Sequence, residues 1–423
     1  MNIDGLVDGP ARRSIREDLD RTLVVEAAAG TGKTTELVQR IVAVVESGRA
    51  RLSSIISVTF TEKAAGEMKL RIRTELDRAL LMPGRDERER ARLVTALSEL
   101  ETAKVGTIHA LCAELLREHP IEAGVDPAFE LADSMHARAL LERAFDGWFE
   151  RTLSAPPEGV RRMLARRAFD ERGKGAREQL LYAAQRLIET RDFDTPYRRE
   201  PLDRAGAVTS LVDELRALAA LHTRSSSMYD PLRVSLRELS QRLTRVHDAD
   251  CDMLEAFLRK LARDRKVWSE KRGSGQQFAP GLLRADVIAR KNAAKQLLTS
   301  CLVALDADLA ACLSRELSPV VAAYAREKRA HGTLDFFDLL LLTRDLLRDH
   351  DDVRLRLQTE IDRLFVDEFQ DTDPVQSELL LLLSADDPRE RDPWRVRPVP
   401  GKLFVVGDPK QSIYRFRRAD VAL

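Results

Sequence analysis

The residues with the plainest chemical capacity lie in a glycine-rich segment near the N-terminus. An apolar run precedes this segment, AAAGTGKT, and a helical pattern follows it. The two glycines let the backbone curl so that successive N–H groups point at phosphate oxygens, and the helix adds its positive N-terminal end. The lysine suits β- and γ-phosphates, and the last threonine suits Mg²⁺. We therefore predict an ATP-phosphate loop that consists of Ala27, Ala28, Ala29, Gly30, Thr31, Gly32, Lys33 and Thr34.

A second chemical cluster follows an apolar run in the last fifth of the chain. Residues 364–370, LFVDEFQ, place two carboxylates at the end of a predicted strand, where α/β sheets bind ligands. Asp367 can hold the Mg²⁺ that Thr34 also binds, and Glu368 can orient or deprotonate an attacking water. Two acids at a solvated strand end are the plainer alternative. Together with the phosphate loop, the pair makes nucleotide hydrolysis the leading hypothesis.

These segments need elements that position them, and the hydrophobic pattern predicts an α/β fold at both ends of the chain. Apolar, β-branched runs alternate there with helical periodicity, which indicates a parallel sheet covered by helices on both faces. From about residue 134 the period is helical and strand patterns stop. We predict a phosphate-loop domain with a parallel sheet, interrupted by a large all-α insert. The predicted divisions are residues 1–133, 134–329 and 330–423, and the predicted strands are residues 22–27, 54–60, 105–108, 363–366 and 402–406.

Composition narrows the class of protein. The 423 residues carry 69 Lys and Arg against 69 Asp and Glu, and this formal net charge of zero excludes a uniformly basic protein that coats nucleic acid. The four cysteines lack the spacing of a zinc site or a CxxC pair. The N-terminus has no apolar signal segment, and residues 379–384, the longest apolar run, are too few to cross a membrane. We expect a protein of a bacterial-type cytosol or nucleoid, with no membrane partner.

Five longer motifs resemble those of superfamily 1 helicases in the UvrD/Rep/RecB/AddA group. They stand in the order of that family and cover both ends of the chain but not its helical middle. The alanine-containing phosphate loop and the long insert are more similar to the RecB/AddA branch than to UvrD itself. The motifs are VTFTEKAAGEM (residues 58–68, motif Ia), GTIHALC (106–112, motif Ib), DFFDLLLLTRDLL (335–347, before motif II), DEFQDTDPVQ (367–376, motif II) and GDPKQSIYRFRRAD (407–420, motif III).

The resemblance implies a RecA-like motor domain, with ATP at its edge and single-stranded or duplex-junction DNA across its top. It implies a 3′–5′ DNA helicase of repair or recombination that uses ATP and Mg²⁺, and the candidate partner is a nuclease or helicase subunit. Lys33, Glu368 and Gln411 would be catalytic, and Gln411 would sense the γ-phosphate. Aromatic residues separated by cations suit sequence-tolerant binding of single strands. For Tyr414 and Phe416, core packing is the alternative. The DNA-contacting residues would be Thr59, Phe60, His109, Tyr414, Phe416 and Arg417.

The sequence departs from the family pattern in three places. Ala27 replaces the first glycine of GxxxxGK[ST], and a glycine-rich turn without a ligand is the alternative to a phosphate loop. Gly9 or Pro10 stands where the family has a glutamine that reads adenine, so adenine specificity is open. Motifs IV, V and VI of a second RecA-like domain, which supply arginine fingers, have no match in these residues. We therefore expect the ATP-binding half of a helicase, inactive or very slow in isolation. The alternative is a truncated fragment that binds nucleotide and DNA without significant turnover.

Charge and capping patterns leave two further expectations. Residues 258–295 hold eleven Lys or Arg against three acids, a balance of +8, with Trp268 and Phe278 among them. This stretch fits either a DNA contact made by the insert or a solvated, arginine-rich face. Asp335 and Asp338 precede a leucine-rich helix, so we predict a helix N-cap there rather than a metal site.

Overall fold

The computed structural model describes residues 7–28, 30–166, 175–193, 197–225, 227–246, 249–271 and 273–411. Its strands are β1 (Leu23–Glu26), β2 (Ile55–Thr59), β3 (Lys104–Thr107), β4 (Glu130–Leu131), β5 (Gln277–Ala279), β6 (Leu282–Leu283), β7 (Thr333–Leu334), β8 (Arg363–Val366) and β9 (Leu403–Gly407). Its α-helices are α1 (Gly9–Glu17), α2 (Lys33–Glu46), α3 (Glu62–Leu81), α4 (Glu87–Glu99), α5 (Ile108–Glu118), α6 (Pro120–Ala123), α7 (Ser134–Leu153), α8 (Glu158–Arg166), α9 (Ala176–Glu189), α10 (Arg204–Ala220), α11 (Pro231–Thr244), α12 (Cys251–Ala262), α13 (Arg284–Ala330), α14 (Phe336–Asp349), α15 (Asp351–Glu360) and α16 (Pro374–Ser384).

Contacts within the chain divide it into two compact units. The sheet unit combines the described residues of Met1–Asp133 with those of His331–Leu423, and the helical unit lies within Ser134–Ala330. Strands β4 and β7 pair in parallel, with Glu130 opposite Thr333, so the chain leaves and re-enters the sheet unit at adjacent points. The helical unit is therefore an insertion in the sequence of the sheet unit.

The sheet unit is built on a five-stranded sheet in the order β1-β9-β8-β2-β3. Every neighbouring pair is parallel, and Val366 of β8 lies opposite both Val58 of β2 and Val405 of β9. Parallel strands point the same way, so their carboxyl ends meet at one edge of the sheet. The α/β class with a parallel sheet is confirmed, and the five predicted strands agree with the observed ones to within one residue at each end.

Alternating side chains of the central strands pack into two separate cores. Leu364 and Val366 of β8 belong to the core formed with α5, α14 and α16, whereas Phe365 belongs to the core formed with α2 and α3. Strand β9 divides in the same way, with Val405 in the first core and Phe404 in the second. A strand buried on both faces has no polar alternation, which is why these runs are uniformly apolar in sequence.

A capping box begins α14, as the sequence predicts. The backbone N–H of Asp338 donates to the Asp335 carboxylate at 2.8 Å, and the N–H of Asp335 donates to the Asp338 carboxylate at 2.9 Å. The two acids satisfy backbone donors that the first helical turn leaves unpaired. The N-cap prediction is therefore confirmed.

The helical unit is organised around the 47-residue helix α13. Its first half, including Leu298 and Leu305, packs into a core with α10, α11 and α12, and its second half packs with α7, α8 and α9. A short antiparallel hairpin, β5–β6, precedes α13, so the insert is predominantly rather than entirely helical. Sequence periodicity missed this hairpin because strands of two or three residues are too short to show alternation.

Helix α13 is long and apolar enough, by length and composition alone, to cross a membrane. A core helix of a soluble protein meets the same criterion, so this is weak evidence for a membrane span. Leu309, Leu313 and Leu317 of this helix contribute to the core shared with α7 and α8. Length and composition therefore do not distinguish a spanning helix from a core helix here.

Four of the eleven cations in the basic stretch at 258–295 have acceptors within the helical unit. Arg259 pairs with Asp306, and Arg284 and Arg290 pair with Asp230 and Glu214 at 2.7 and 3.0 Å. The Lys291 ammonium is buried and donates to Ser235 and to the carbonyl of Ser269. Both aromatic residues of the stretch, Trp268 and Phe278, lie in the core, and Arg272 lies outside the described residues. These four cations and both aromatic residues therefore have structural roles. The other described cations of the stretch are exposed, so a DNA contact by the stretch stays a prediction.

Substitution of Arg162 would measure how much a buried charge cluster contributes to the stability of the helical unit. Its side chain is fully buried, donates to Asp308 at 2.6 Å and to the carbonyl of Leu305 at 2.8 Å, and pairs with Glu255 at 3.0 Å. We expect Arg162→Ala to lower the free energy of unfolding by about 3–5 kcal/mol, because the buried carboxylates of Asp308 and Glu255 lose the guanidinium that they share and keep only their contacts with other arginines. Urea denaturation of a Trp394→Phe background, followed by fluorescence, would report only on Trp148 and Trp268 of this unit.

Arg161→Ala is the matched control for this prediction. Arg161 is half exposed and pairs with Asp252 at 3.3 Å, so its removal should cost about 1 kcal/mol or less. Equal losses for the two variants would show that the buried cluster does not stabilise the helical unit.

Candidate functional site

The segment predicted as a phosphate loop connects β1 to α2 at the carboxyl edge of the sheet. Gly30 and Gly32 have φ of 75° and 90°, in the left-handed region that favours glycine. Gly32 is the N-cap of α2, so the helix begins at Lys33 and its first backbone N–H groups lie in the loop. Ala29 lies outside the described residues. The segment thus has the backbone geometry that anion binding requires.

The ammonium group of Lys33 is buried at this edge without a hydrogen bond. It forms no hydrogen bond within the described part of the chain, and its ion-pair partner is Glu368 Oε2, at 3.5 Å. A buried ammonium carries three donors and is costly to leave unsatisfied. A phosphate group in the loop would supply acceptors for it, so the residues present fit a nucleotide phosphate.

Thr34 and Asp367 meet across the gap between α2 and β8. The Thr34 hydroxyl donates to Asp367 Oδ2 at 3.0 Å, and the N–H of Glu368 donates to Asp367 Oδ1 at 3.0 Å. Burial and the neighbouring Glu368 charge raise the pKa of Asp367 above its usual range, although Thr34 and Lys33 oppose the shift. A divalent cation would favour the charged carboxylate, and a hydroxyl with a carboxylate is an oxygen donor set that suits Mg²⁺.

Glu368 follows Asp367 in an unusual backbone conformation. Its φ is 54°, the left-handed region that non-glycine residues rarely adopt. Its carboxylate accepts a hydrogen bond of 2.7 Å from the Gln370 amide, and Gln370 Oε1 accepts one of 2.8 Å from the N–H of Asp408. The Gln411 side chain donates to the Asp408 carboxylate, which lowers the Asp408 pKa. The predicted residues Glu368 and Gln411 are therefore connected through Gln370 and Asp408, to which the sequence assigned no role.

Helix α1 supports the loop through an arginine that the sequence did not reveal. Arg12 donates to the carbonyl of Thr31 and to Glu36 Oε1, both at 2.7 Å. Glu36 is buried in the first turn of α2 and also pairs with Arg16. The spacing of residues 8–12 does not indicate that Arg12 reaches a loop carbonyl nineteen residues away.

Three of the six residues predicted to contact DNA line a cavity of about 770 Å³ in the sheet unit. Thr59 ends β2, Phe60 follows it, and His109 lies in the first turn of α5. The His109 ring meets the half-exposed Phe336 ring edge to face, with centroids 5.7 Å apart, and burial lowers the pKa of His109. Asp367 and Glu368 line the same cavity. Phe336 is thus a further candidate for a DNA contact. It belongs to the motif before motif II, and the sequence pattern did not indicate a role for it.

Three predicted DNA-contacting residues, Tyr414, Phe416 and Arg417, lie outside the described residues. Gly9 and Pro10 begin α1, and neither offers a side-chain amide. The structure therefore brings together the loop, the acidic pair and the first group of aromatic residues, and describes no geometry for motif III beyond Gln411.

A family model described as the UvrD/REP helicase N-terminal domain matches residues 9–423. The chain belongs to this family. The five-stranded parallel sheet and the large helical insert agree with the RecA-like helicase fold that the motifs imply. The family therefore accounts for both the sheet unit and the insertion in its sequence.

Several curated proteins, each named as one of the subunits of an ATP-dependent helicase/nuclease, are similar to the chain. The protein of Geobacillus thermodenitrificans is 30% identical over 451 residues, which cover 95% of the chain and 35% of that protein. The protein of Ligilactobacillus salivarius is 27% identical, over 98% of the chain and 35% of that protein. The protein of Enterococcus faecalis is 26% identical, over 96% of the chain and 34% of that protein. The chain thus spans about a third of the length of these relatives.

Asp367 should lower the stability of the nucleotide-free protein. Its raised pKa means that the folded chain holds the Asp367 proton more tightly than the unfolded chain, so stability falls as pH rises from 3.8 through the folded pKa. We expect Asp367→Asn to raise the Tm at pH 7, because asparagine keeps the polar contacts without the buried charge. The gain in Tm should disappear below pH 4, where the Asp367 carboxyl is protonated and the parent and the variant are both uncharged at this position.

Calorimetry with and without Mg²⁺ and nucleotide would measure both effects. The Mg²⁺-dependent part of the nucleotide-induced rise in Tm should be lost in Asp367→Asn. Asp77→Asn, at an exposed position on α3, should behave as the parent. A lower Tm for Asp367→Asn at pH 7 would contradict the assigned cost of the buried carboxylate.

Proposed function

We propose that the chain is the ATP-binding half of a 3′–5′ DNA helicase of UvrD type that acts in DNA repair or recombination. It would couple ATP hydrolysis to movement along single-stranded DNA. The observation that carries the proposal is the meeting of Lys33, Thr34, Asp367 and Glu368 at the carboxyl edge of the sheet, beside an aromatic cavity. In this proposal residues 1–133 and 330–423 form the RecA-like motor domain and residues 134–329 form its inserted subdomain.

The nucleotide chemistry follows from the position of each group. The loop N–H groups and the Lys33 ammonium would bind the phosphates, and Thr34 with Asp367 would hold Mg²⁺, which neutralises phosphate charge when bound. Glu368 would accept the proton of the attacking water, since its carboxylate lines the cavity next to Asp367. Gln411 would report on the γ-phosphate through its contact with Asp408.

The DNA interaction would use rings rather than base-specific hydrogen bonds. Phe60, His109 and Phe336 offer aromatic surface at one cavity, and burial keeps His109 neutral near pH 7. Stacking on aromatic rings is tolerant of sequence because every base has a π-face. Thr59 would lie on the same track, and Tyr414, Phe416 and Arg417 would extend it.

Turnover by the 423-residue chain alone is expected to be slow. An arginine finger contributes roughly 10³–10⁵ to turnover in related NTPases, and motifs IV to VI are not found in this sequence. The second candidate is a protein that binds nucleotide and DNA without significant turnover, and the positions of Lys33, Thr34 and Asp367 support nucleotide binding in either case. The names of the relatives include a nuclease, so the partner we propose is a nuclease or helicase subunit, in a cytoplasmic setting.

Two substitutions separate nucleotide binding from hydrolysis. Lys33→Ala should abolish binding of a fluorescent ATP analogue, because it removes the buried ammonium from the loop. Glu368→Gln should retain binding and lose the residual hydrolysis measured by phosphate release. Lys63→Ala, an exposed lysine on α3, is the control and should change neither. Hydrolysis by Glu368→Gln at the parent's rate would show that Glu368 is not the base.

Removal of cavity rings should weaken binding to single-stranded DNA. Phe60→Ala and His109→Ala should each cost about 1–3 kcal/mol of binding to a labelled oligo-dT, because each removes one stacking surface. Trp394→Ala is the control, since Trp394 is exposed in the sheet unit but does not line the cavity. Fluorescence anisotropy would measure the affinities. An equal loss for all three variants would point to non-specific apolar contacts instead.

A further inference from the structure

We propose that Gln370 is a positioning residue that orients the Glu368 carboxylate and joins it to the segment carrying Gln411. The inference rests on the proposed function, because that function makes Glu368 the base that accepts the proton of the attacking water. It adds a role for a side chain that neither contacts the phosphate loop nor ionises. The geometry of one buried amide carries it.

Both ends of the Gln370 amide are engaged, each with a different strand end. The amide nitrogen donates to Glu368 Oε2 at 2.7 Å, just after β8. The amide oxygen accepts from the N–H of Asp408 at 2.8 Å, just after β9. Because an amide has a donor end and an acceptor end, only one orientation of the Gln370 side chain satisfies both partners.

The surroundings leave Gln370 little freedom to move. The residue is buried, and a Cβ added at Gly407 would lie 2.8 Å from its Oε1 and 3.4 Å from its backbone nitrogen. Gly407 is the last residue of β9, so the absence of a side chain there makes room for the amide. The amide and the strand end fit each other closely.

Gln370 and Lys33 both act on one oxygen of the Glu368 carboxylate. Glu368 has the rare left-handed φ of 54°, and Lys33 attracts the same oxygen, Oε2, from 3.5 Å. The hydrogen bond from Gln370 fixes that oxygen and leaves the other one, Oε1, for a water in the cavity. Fixing the acceptor reduces the reorganisation needed for proton transfer.

The Asp408 contact gives this arrangement a second consequence. The Asp408 carboxylate accepts from the Gln411 side chain, and the N–H of Gln411 donates to the Asp408 carbonyl at 2.9 Å. The Gly407 carbonyl in turn accepts from the N–H of Ala27, at the start of the loop, at 3.1 Å. Gln370 therefore ties the base to the same strand end that contacts both the candidate γ-phosphate sensor and the loop.

Gln370→Glu distinguishes positioning from simple structural support. The introduced carboxylate can still accept from the Asp408 N–H, but it faces Glu368 with an acceptor in place of a donor. We expect hydrolysis at saturating ATP to fall roughly 10- to 100-fold, the range typical of residues that orient a functional group, with the affinity for the ATP analogue within about threefold of the parent. Phosphate release over long incubations would measure the residual turnover.

Gln39→Glu is the matched control. Gln39 of α2 donates its amide to Glu75 of α3 at 2.5 Å, so the same substitution creates the same carboxylate pair away from the sheet edge. It should lower the Tm without lowering hydrolysis. Equal hydrolysis by Gln370→Glu and Gln39→Glu would overturn the proposal.

A thermal double-mutant cycle tests the contact without any activity. Gln370→Glu should lower the Tm in the parent and should lower it much less in a Glu368→Gln background, because the donor and acceptor then exchange places. Hydrolysis should not return in the double variant, since it lacks the base. Additive Tm losses would show that the two side chains are not paired, and would overturn the proposal.

The two proposals fail in different ways. If Lys33→Ala leaves binding of the ATP analogue unchanged, the proposed function is wrong, and the thermal cycle still decides the pairing. If hydrolysis depends on Lys33 but not on Gln370→Glu, the function stands and the positioning role falls.

Discussion

Parallel pairing of five short strands is the constraint on which the candidate site depends. Because all five run the same way, the residues after β1, β2, β8 and β9 share one edge, and α5 begins there directly after β3. The loop, the acidic pair and the aromatic residues come from distant parts of the sequence and meet only through this register. The central strands β2, β8 and β9 are buried on both faces, so the apolar cores of the sheet unit hold their register in place.

The site itself is held in an arrangement that is unfavourable without a ligand. Among the residues that the structure describes, the buried Lys33 ammonium has no hydrogen-bond partner, the pKa of Asp367 is raised, and Glu368 has a left-handed backbone. Each of these features costs stability that the surrounding cores must supply. A phosphate and a cation would relieve the first two, which is the physical reason to regard this edge as a nucleotide site. Hydrogen bonds hold this arrangement in place: Arg12 donates to the loop, Gln370 donates to Glu368, and the N–H of Asp408 donates to Gln370.

In the helical unit, charged side chains form ion pairs within the unit. Several of its arginines pair with acids on other helices, and Arg162 does so with no exposure to solvent. A net charge of zero therefore conceals many local pairs rather than one basic surface. In the +8 stretch, three arginines pair with acids that lie outside the counted window, so a charge count along the sequence overstates the local excess of positive charge. The acids are Asp230, Glu214 and Asp306.

The sequence by itself determined the α/β class, the strands of the main sheet, the N-cap at Asp335 and the family. These follow from local patterns: uniform apolar runs, glycines before a lysine, and motif order. Tertiary structure alone decided the contacts of Arg12, Gln370, Asp408 and Phe336. Their partners depend on which strand ends are neighbours, and the strand order β1-β9-β8-β2-β3 cannot be read from any local pattern. The same reason applies to the basic stretch, because burial and ion pairing are set by helices that pack from elsewhere in the chain.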